Sequence, residues 1–293
     1  MRIAVVTTSF PADEGDPSGH FVRAEARELE REGHEVVVLA PPPGGAFGWP
    51  GVAARLKVKP TRLVDAARWP LVARSRLVDL QPHRVVAHWA VPCGWPVAMT
   101  SGPELEVVSH GGDVRLLVAA PRVAREQVVG ALAQRATRWR FVSDGLRDAL
   151  LASLGADLRA RVARLSVVRA ASVEMPDVRE AVARKRQELA GARIAVSVGR
   201  LVPDKRVDRA IEHVAHDRDV DALVVVGDGP ERGPLEALAR ARALDARFVG
   251  RVPRHEALAW IGAAAFVVFA SQKEGASTVL REAEAMGTPV VFV

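Results

Sequence analysis

Arg2-Ile-Ala-Val-Val-Thr-Thr8 opens the chain, and Glu35-Val-Val-Val-Leu-Ala40 repeats its character about thirty residues later. Both runs are short and β-branched, the composition of a buried strand. Between them lie a Pro/Gly/Asp-rich loop at 11–19 and a stretch at 21–32 whose apolar residues Phe21, Val22, Ala26 and Leu29 fall at helical spacing. Gly33-His34 ends that helix, and Pro41-Pro42-Pro43 stops the second strand. Strand, helix and strand in this order is the unit of a parallel sheet, since parallel neighbours need a crossover and a helix supplies it.

The alternation extends along the chain. Further strands are predicted near 84–88, 106–110, 138–142 and 165–169, separated by Ala/Arg/Leu-rich helices such as 144–154. A charged helix at 178–190 follows Glu174-Met-Pro-Asp177, and the pattern then restarts. Strands are predicted at 194–198, 222–226, 247–249, 266–270 and 289–293, with helices at 207–215, 234–243, 256–263 and 278–286. Two such sets imply two doubly wound α/β domains, 1–175 and 179–293, whose ligands bind at the carboxyl ends of the strands. The length of 293 residues agrees, since one domain usually takes ~100–200.

Bulk properties narrow the function. Hydrophobic content of 49% and charged content of 26% are those of a folded globular protein. Apolar stretches such as 261–270 fall short of the ~18 residues a membrane span needs. The N-terminus turns polar at Thr7-Thr8-Ser9, too soon for a signal peptide. The single cysteine, Cys93, excludes an internal disulfide and a cysteine metal cluster, and a cytoplasmic location is expected. The net charge of +6 is spread among acids, and there is no tyrosine to stack bases. Nucleic acid is therefore not the expected partner, whereas a phosphorylated substrate or anionic lipid suits a mild positive excess.

Several segments carry candidate chemistry. Gly227-Asp-Gly229-Pro-Glu-Arg-Gly233 follows a strand, but its third glycine comes one position late for a dinucleotide fingerprint, so a tight turn is the better reading. Arg200 and Lys205, in Gly199-Arg-Leu-Val-Pro-Asp-Lys205, sit where a strand gives way to loop and helix. They suit a diphosphate leaving group, on which negative charge builds; two solvated basic residues are the equal alternative. In Glu274-Gly-Ala-Ser-Thr-Val-Leu-Arg-Glu282, Ser277 and Thr278 can cap a helix whose free N–H groups would hold an anion. Glu274 and Glu282 lie about two turns apart near one helix face, one placed for sugar hydroxyls and the other for ribose. Glu180 and Glu188 repeat that spacing, so it is not specific by itself. His110-Gly-Gly-Asp113 puts a histidine at a strand's carboxyl end, suited to orienting a ligand or exchanging a proton, or else to the core. His88-Trp89 is similarly ambiguous, and neither G-x-S-x-G nor H-E-x-x-H occurs.

Taken in order, Gly33-His-Glu-Val-Val-Val-Leu39, His110-Gly-Gly-Asp113, Ser143-Asp-Gly-Leu146, Val198-Gly-Arg-Leu-Val-Pro-Asp-Lys205, Val226-Gly-Asp-Gly-Pro-Glu231, Arg247-Phe-Val-Gly-Arg-Val252 and Glu274-Gly…Glu282-Ala…Gly287-Thr-Pro-Val-Val291 resemble family 4 of the retaining glycosyltransferases. The resemblance implies a GT-B fold, two Rossmann-like domains facing across a cleft. It also implies transfer of a sugar from a nucleoside-diphosphate sugar to a sugar, lipid-linked or small-molecule acceptor, without a metal ion or other cofactor. In that family Arg200 and Lys205 would hold the diphosphate, Glu282 the ribose and Glu274 the donor sugar. Backbone N–H groups of Ala276, Ser277, Thr278 and Val279 would hold sugar and phosphate oxygens, and His110 would lie beside the reacting centre. Arg251 and Val252 would lie near the base, and Gly19 on the donor's phosphate side. Peripheral membrane contact at the inner face is a further expectation.

Departures from the pattern are Ser18-Gly19 in place of a glycine pair and Ala171-Ser-Val-Glu174 in place of Asn-Gly-Val-Asp. The chain also ends at Val293, where the family continues. A C-terminally truncated second domain and low activity are therefore expected. The alternatives are a nucleotide-sugar epimerase of similar architecture and a non-catalytic sugar-nucleotide-binding fragment.

Overall fold

The computed structural model describes residues 1–13, 16, 18–48, 51–271 and 276–293. The chain divides into two compact units, one of Met1–Phe10 with Ser18–Ser172 and the other of Pro11–Pro17 with Val173–Val293.

The first unit runs β1 (Arg2–Val6), α1 (His20–Arg31), β2 (Glu35–Leu39), α2 (Val52–Val58), α3 (Leu63–Leu80), β3 (Arg84–His88), α4 (Trp95–Ala98), β4 (Glu104–Ser109), α5 (Gly112–Ala119), α6 (Arg122–Arg135), β5 (Ala136–Phe141), α7 (Asp144–Ala152), α8 (Ala156–Leu165) and β6 (Ser166–Val168). Its six-stranded sheet has the order β2-β1-β3-β4-β5-β6 and is parallel throughout. The chain reverses direction across the sheet between β1 and β3, which makes their carboxyl ends the crevice of this unit.

The second unit runs α9 (Arg179–Glu188), β7 (Ile194–Val198), α10 (Val207–Ala215), β8 (Ala222–Val226), α11 (Arg232–Ala241), β9 (Ala246–Gly250), α12 (Arg254–Ala263), β10 (Phe266–Phe269), α13 (Thr278–Ala285) and β11 (Val290–Phe292). Its parallel sheet has the order β11-β10-β7-β8-β9, with the reversal between β7 and β10. Every residue of β8 is buried, and the pleat splits them between two cores. Ala222, Val224 and Val226 join Ile194, Val196, Leu258 and Ile261 on one face. Leu223 and Val225 join Ala195, Val207, Ile211 and Leu235 on the other. Helices cover both faces, which is why the strands read as unbroken apolar runs.

The expected strands and helices all appear, with ends displaced by a residue or two. Sequence reading left helices α2 and α3 undrawn. The second carries Pro70 in its interior, and its apolar residues do not all point inward. A helix stripe is recognisable only when one face is buried and the other polar.

Candidate active site

In the second unit, three loops at the carboxyl edge of the sheet hold most of the expected donor residues. Gly199 follows β7, and Arg200 and Lys205 are half-buried in the turn leading to α10, which includes a 3-10 turn at Pro203–Lys205. The Gly227-Asp-Gly229 turn packs on this segment from behind. Leu201 N–H donates to Asp228 O at 2.9 Å, and Glu231 N–H donates to Leu201 O at 3.1 Å. A Cβ on Gly227 would lie 1.8 Å from Gly199 O, and one on Gly229 would lie 2.3 Å from Leu201 O. Both glycines also have positive φ, at 136° and 159°. The turn is therefore glycine because another backbone crosses it, and it braces the segment that bears Arg200 and Lys205.

The reversal between β7 and β10 brings the second loop beside the first. Ser271 Oγ donates to Asp204 O at 3.3 Å, joining the chain after β10 to the 3-10 turn. Glu274 lies outside the described residues. Ala276, Ser277, Thr278 and Val279 are half-buried and lead into α13. Ser277 occupies the position before the helix, yet its side chain makes no capping bond. The Ser277 cap expected from sequence is not made, and among the described residues no side chain is seen to cap the first turn of α13.

Glu282 is 6% exposed, on the inner side of α13. Its Oε1 accepts from Arg254 Nε at 3.1 Å and Nη2 at 2.9 Å. Burial raises the carboxyl above its usual range, and Arg254 opposes that shift. Arg254 opens α12, three residues after Arg251, so this pair ties the loop holding Arg251 and Val252 to α13. Sequence reading missed Arg254; an arginine starting a helix carries no local sign of a partner 28 residues away.

In the first unit His110 stands at the end of β4. Parallel register sets His88 beside Val108, so the side chain two residues beyond Val108 reaches the His88 ring. His110 Nε2 and His88 Nδ1 are 2.9 Å apart, with ring centres separated by 5.1 Å and planes within 14°. Phe21 and Trp89 flank the His110 ring, each with its centre at 4.8 Å. Trp89 has φ 73°, a backbone region that side chains seldom occupy and that tends to persist at functional positions. Burial, with Arg140 nearby, holds His88 down to about 3. Burial, then His88 and Arg140, also depresses His110. Both rings are neutral near pH 7.

Asp113 sets the loops around them. Its Oδ1 accepts from His110 N–H at 3.2 Å and Gly111 N–H at 3.1 Å, and its Oδ2 accepts from Ala90 N–H at 2.8 Å. Beneath the rings runs a buried chain of charge. His88 Nε2 lies 3.8 Å from Glu25 Oε2. Glu25 Oε1 accepts from Arg140, whose Nε lies 3.2 Å from Glu106 Oε1, and Glu106 is also paired with Arg84. Gly19, at φ 65°, precedes α1, and a Cβ there would stand 2.1 Å from Ser9 O. It permits close backbone approach at the start of the helix that carries Phe21 and Glu25.

Known proteins resemble this chain along both units. Residues 178–293 match the family model described as glycosyl transferases group 1. The putative teichuronic acid biosynthesis glycosyltransferase TuaC of Bacillus subtilis (strain 168) is 25% identical over 324 residues, covering 99% of this chain and 80% of TuaC. A GDP-mannose-dependent alpha-mannosyltransferase of Mycolicibacterium smegmatis is 29% identical, covering 99% of this chain and 79% of the relative. Among solved structures, Anabaena HepE in complex with UDP-glucose superposes with a TM-score of 0.72 at 18% identity, covering 100% of this chain and 80% of that one. Sucrose-phosphate synthase from Thermosynechococcus elongatus gives 0.68 at 20% identity, covering 99% and 80%. The two parallel sheets of this topology give the chain the GT-B fold, and residues 178–293 are similar to glycosyl transferases group 1.

Proposed function

We propose that the chain transfers a hexose from a nucleoside-diphosphate sugar to a hydroxyl acceptor, with retention at the anomeric carbon and without a metal ion. The observation that carries this reading is the assembly of Arg200, Lys205 and the start of α13 at the strand reversal of the second unit. Arg200 and Lys205 neutralise the charge that gathers on the diphosphate as the bond to the sugar breaks, and the N–H groups of Ala276–Val279 hold sugar and phosphate oxygens. Glu282, steadied by Arg254, accepts ribose hydroxyls, and Arg251 with Val252 flanks the base. Glu274 contacts the donor sugar, Gly19 permits close backbone approach at the start of α1, and His110 meets a substrate hydroxyl. The names of the relatives, one dependent on GDP-mannose and one bound to UDP-glucose, support a nucleoside-diphosphate hexose as donor.

The test is to incubate the chain with UDP-glucose, GDP-mannose or ADP-glucose, with and without sugar acceptors and a chelator, and to follow nucleoside diphosphate release. Acceptor-dependent release that survives the chelator, with the anomeric configuration preserved in the product, is the expected result. Turnover without acceptor would indicate an epimerase, and binding without turnover a non-catalytic fragment.

A lipid-linked acceptor is favoured by one surface of the first unit. Leu63, Val64, Ala67, Leu71, Arg74 and Val78 share an exposed face of α3, and Leu71 is 68% exposed. Exposed Lys57, Lys59 and Arg68 border it. Among the described residues no helix is long and apolar enough to cross a membrane. An apolar stripe edged with cations suits lying on an anionic bilayer surface instead, here its cytoplasmic face.

A further inference from the structure

Buried Glu25 and His88 and half-buried His110 line up in one direction, and their order assigns a proton to each ring nitrogen. We propose that Glu25 and His88 are positioning residues that lock His110 as the tautomer protonated on Nε2, leaving the Nδ1 lone pair as a hydrogen-bond acceptor for a substrate hydroxyl. The proposal rests on the transferase reading for the identity of that hydroxyl, and on geometry alone for the tautomer.

The geometry leaves one consistent assignment. Glu25 Oε1 accepts from Arg140, and that ion pair fixes which oxygen turns toward the histidines. The other oxygen, Oε2, and His88 Nε2 are both buried and without another hydrogen-bond partner, and they stand 3.8 Å apart. A lone pair on His88 Nε2 would face the carboxylate's own lone pairs in a dry pocket, whereas an N–H there faces an anion. His88 is 0% exposed and carries a single ring proton, so protonating Nε2 leaves Nδ1 as an acceptor. His110 Nε2, at 2.9 Å, must then donate. His110 carries one ring proton as well, so its Nδ1 is bare, and that atom has no hydrogen-bond partner among the described residues. Phe21 and Trp89, with ring centres 6.1 Å apart, both pack against the His110 ring. A carboxylate behind one histidine thus determines what the next can accept, by the logic through which second ring nitrogens set metal-binding and catalytic histidines.

The experiment uses the full 293-residue chain with 15N-labelled histidine. Long-range 1H–15N spectra near pH 7.5 report which nitrogen of each ring holds the proton, and His88→Asn and His110→Asn spectra assign the signals by loss. The expected result is Nε2–H with bare Nδ1 in both rings. His110 protonated on Nδ1 in the parent chain would overturn the proposal, whatever the variants do. Glu25→Gln gives the sharper test: Arg140 still demands the side-chain oxygen, so the amide N–H2 must turn toward His88. Both rings should then switch to the Nδ1–H tautomer, and kcat should fall on the order of 100-fold with donor KM within about twofold. Unswitched tautomers in folded Glu25→Gln would also overturn the assignment. If that variant does not fold, Glu25→Asp, which keeps the charge, should retain the parental tautomers, and switching there counts against the proposal. Absence of transfer with the expected tautomers would instead refute the transferase reading and leave the relay standing.

Discussion

Arg200 and Lys205 are the residues on which the diphosphate reading turns. Replacing either by alanine should weaken nucleoside diphosphate binding by about 1.5–3 kcal/mol, the cost of a lost charged hydrogen bond, with little change in melting temperature. Isothermal titration with the preferred diphosphate checks this, and parental affinity in both variants would move the site elsewhere. The histidine pair makes a separate prediction through pH. His88 is held at about 3 against 6.5 in the unfolded chain, and His110 is depressed as well. Their contribution is fully present above pH 6.5 and is lost as pH falls toward 3, because only the unfolded chain takes up the protons there. Stability of the first unit should therefore drop on going from pH 7 to pH 5, with a slope approaching about 1.4 kcal/mol per pH unit per histidine. Asp113, raised by burial, acts in the opposite sense at lower pH, where the folded state keeps its proton. Urea unfolding followed by circular dichroism at the two pH values tests the sign, and His88→Asn should flatten the dependence.

Elements carry two further expectations. The Gly227-Asp-Gly229 turn and the segment after β7 are held together by backbone alone, so Gly227→Ala cannot be absorbed by a rotamer change. It should destabilise the second unit by more than about 2 kcal/mol and also lower nucleotide affinity, because the loop bearing Arg200 and Lys205 must shift. Thermal unfolding with and without nucleotide measures both effects together; a stable variant with normal affinity would show that the brace is dispensable. Helix α3 presents a second apolar face outward, besides the buried one of Trp69, Ala73 and Leu77. Leu71→Glu should leave folding intact and reduce co-sedimentation with vesicles of anionic lipid several-fold, while uncharged vesicles bind neither form. Equal sedimentation of the two forms would assign that face to another role.

At the scale of the whole molecule, the two units have separate sheets and separate cores, so ligand effects should be separable too. A nucleoside diphosphate bound to the second unit stabilises that unit by about 2.7 kcal/mol at a hundredfold excess over Kd. Scanning calorimetry with UDP, GDP and ADP should show the transition of the second unit rising with one base in preference to the others. A rise confined to the first unit would place the nucleotide on the wrong half of the chain.

The order of strands and helices was legible from the sequence because parallel strands buried on both faces are continuous apolar runs, as Ala222-Leu-Val-Val-Val226 is. Loop positions at strand ends were legible for a related reason. Gly199, Gly227 and Gly229 interrupt those runs, and Arg200 and Lys205 follow directly. Tertiary structure alone decided which polar residues went inside. Glu25 lies on a helix whose apolar spacing marks Phe21, Val22, Ala26 and Leu29, yet Glu25 itself is buried because Arg140, 115 residues away, meets it there. Arg254 with Glu282, and His88 with His110, are likewise partners across the sheet or between neighbouring loops. Hydrophobic burial follows local periodicity and can be read one segment at a time. A buried charge is tolerated only when its partner arrives from elsewhere in the chain, and one-dimensional spacing holds no record of that meeting.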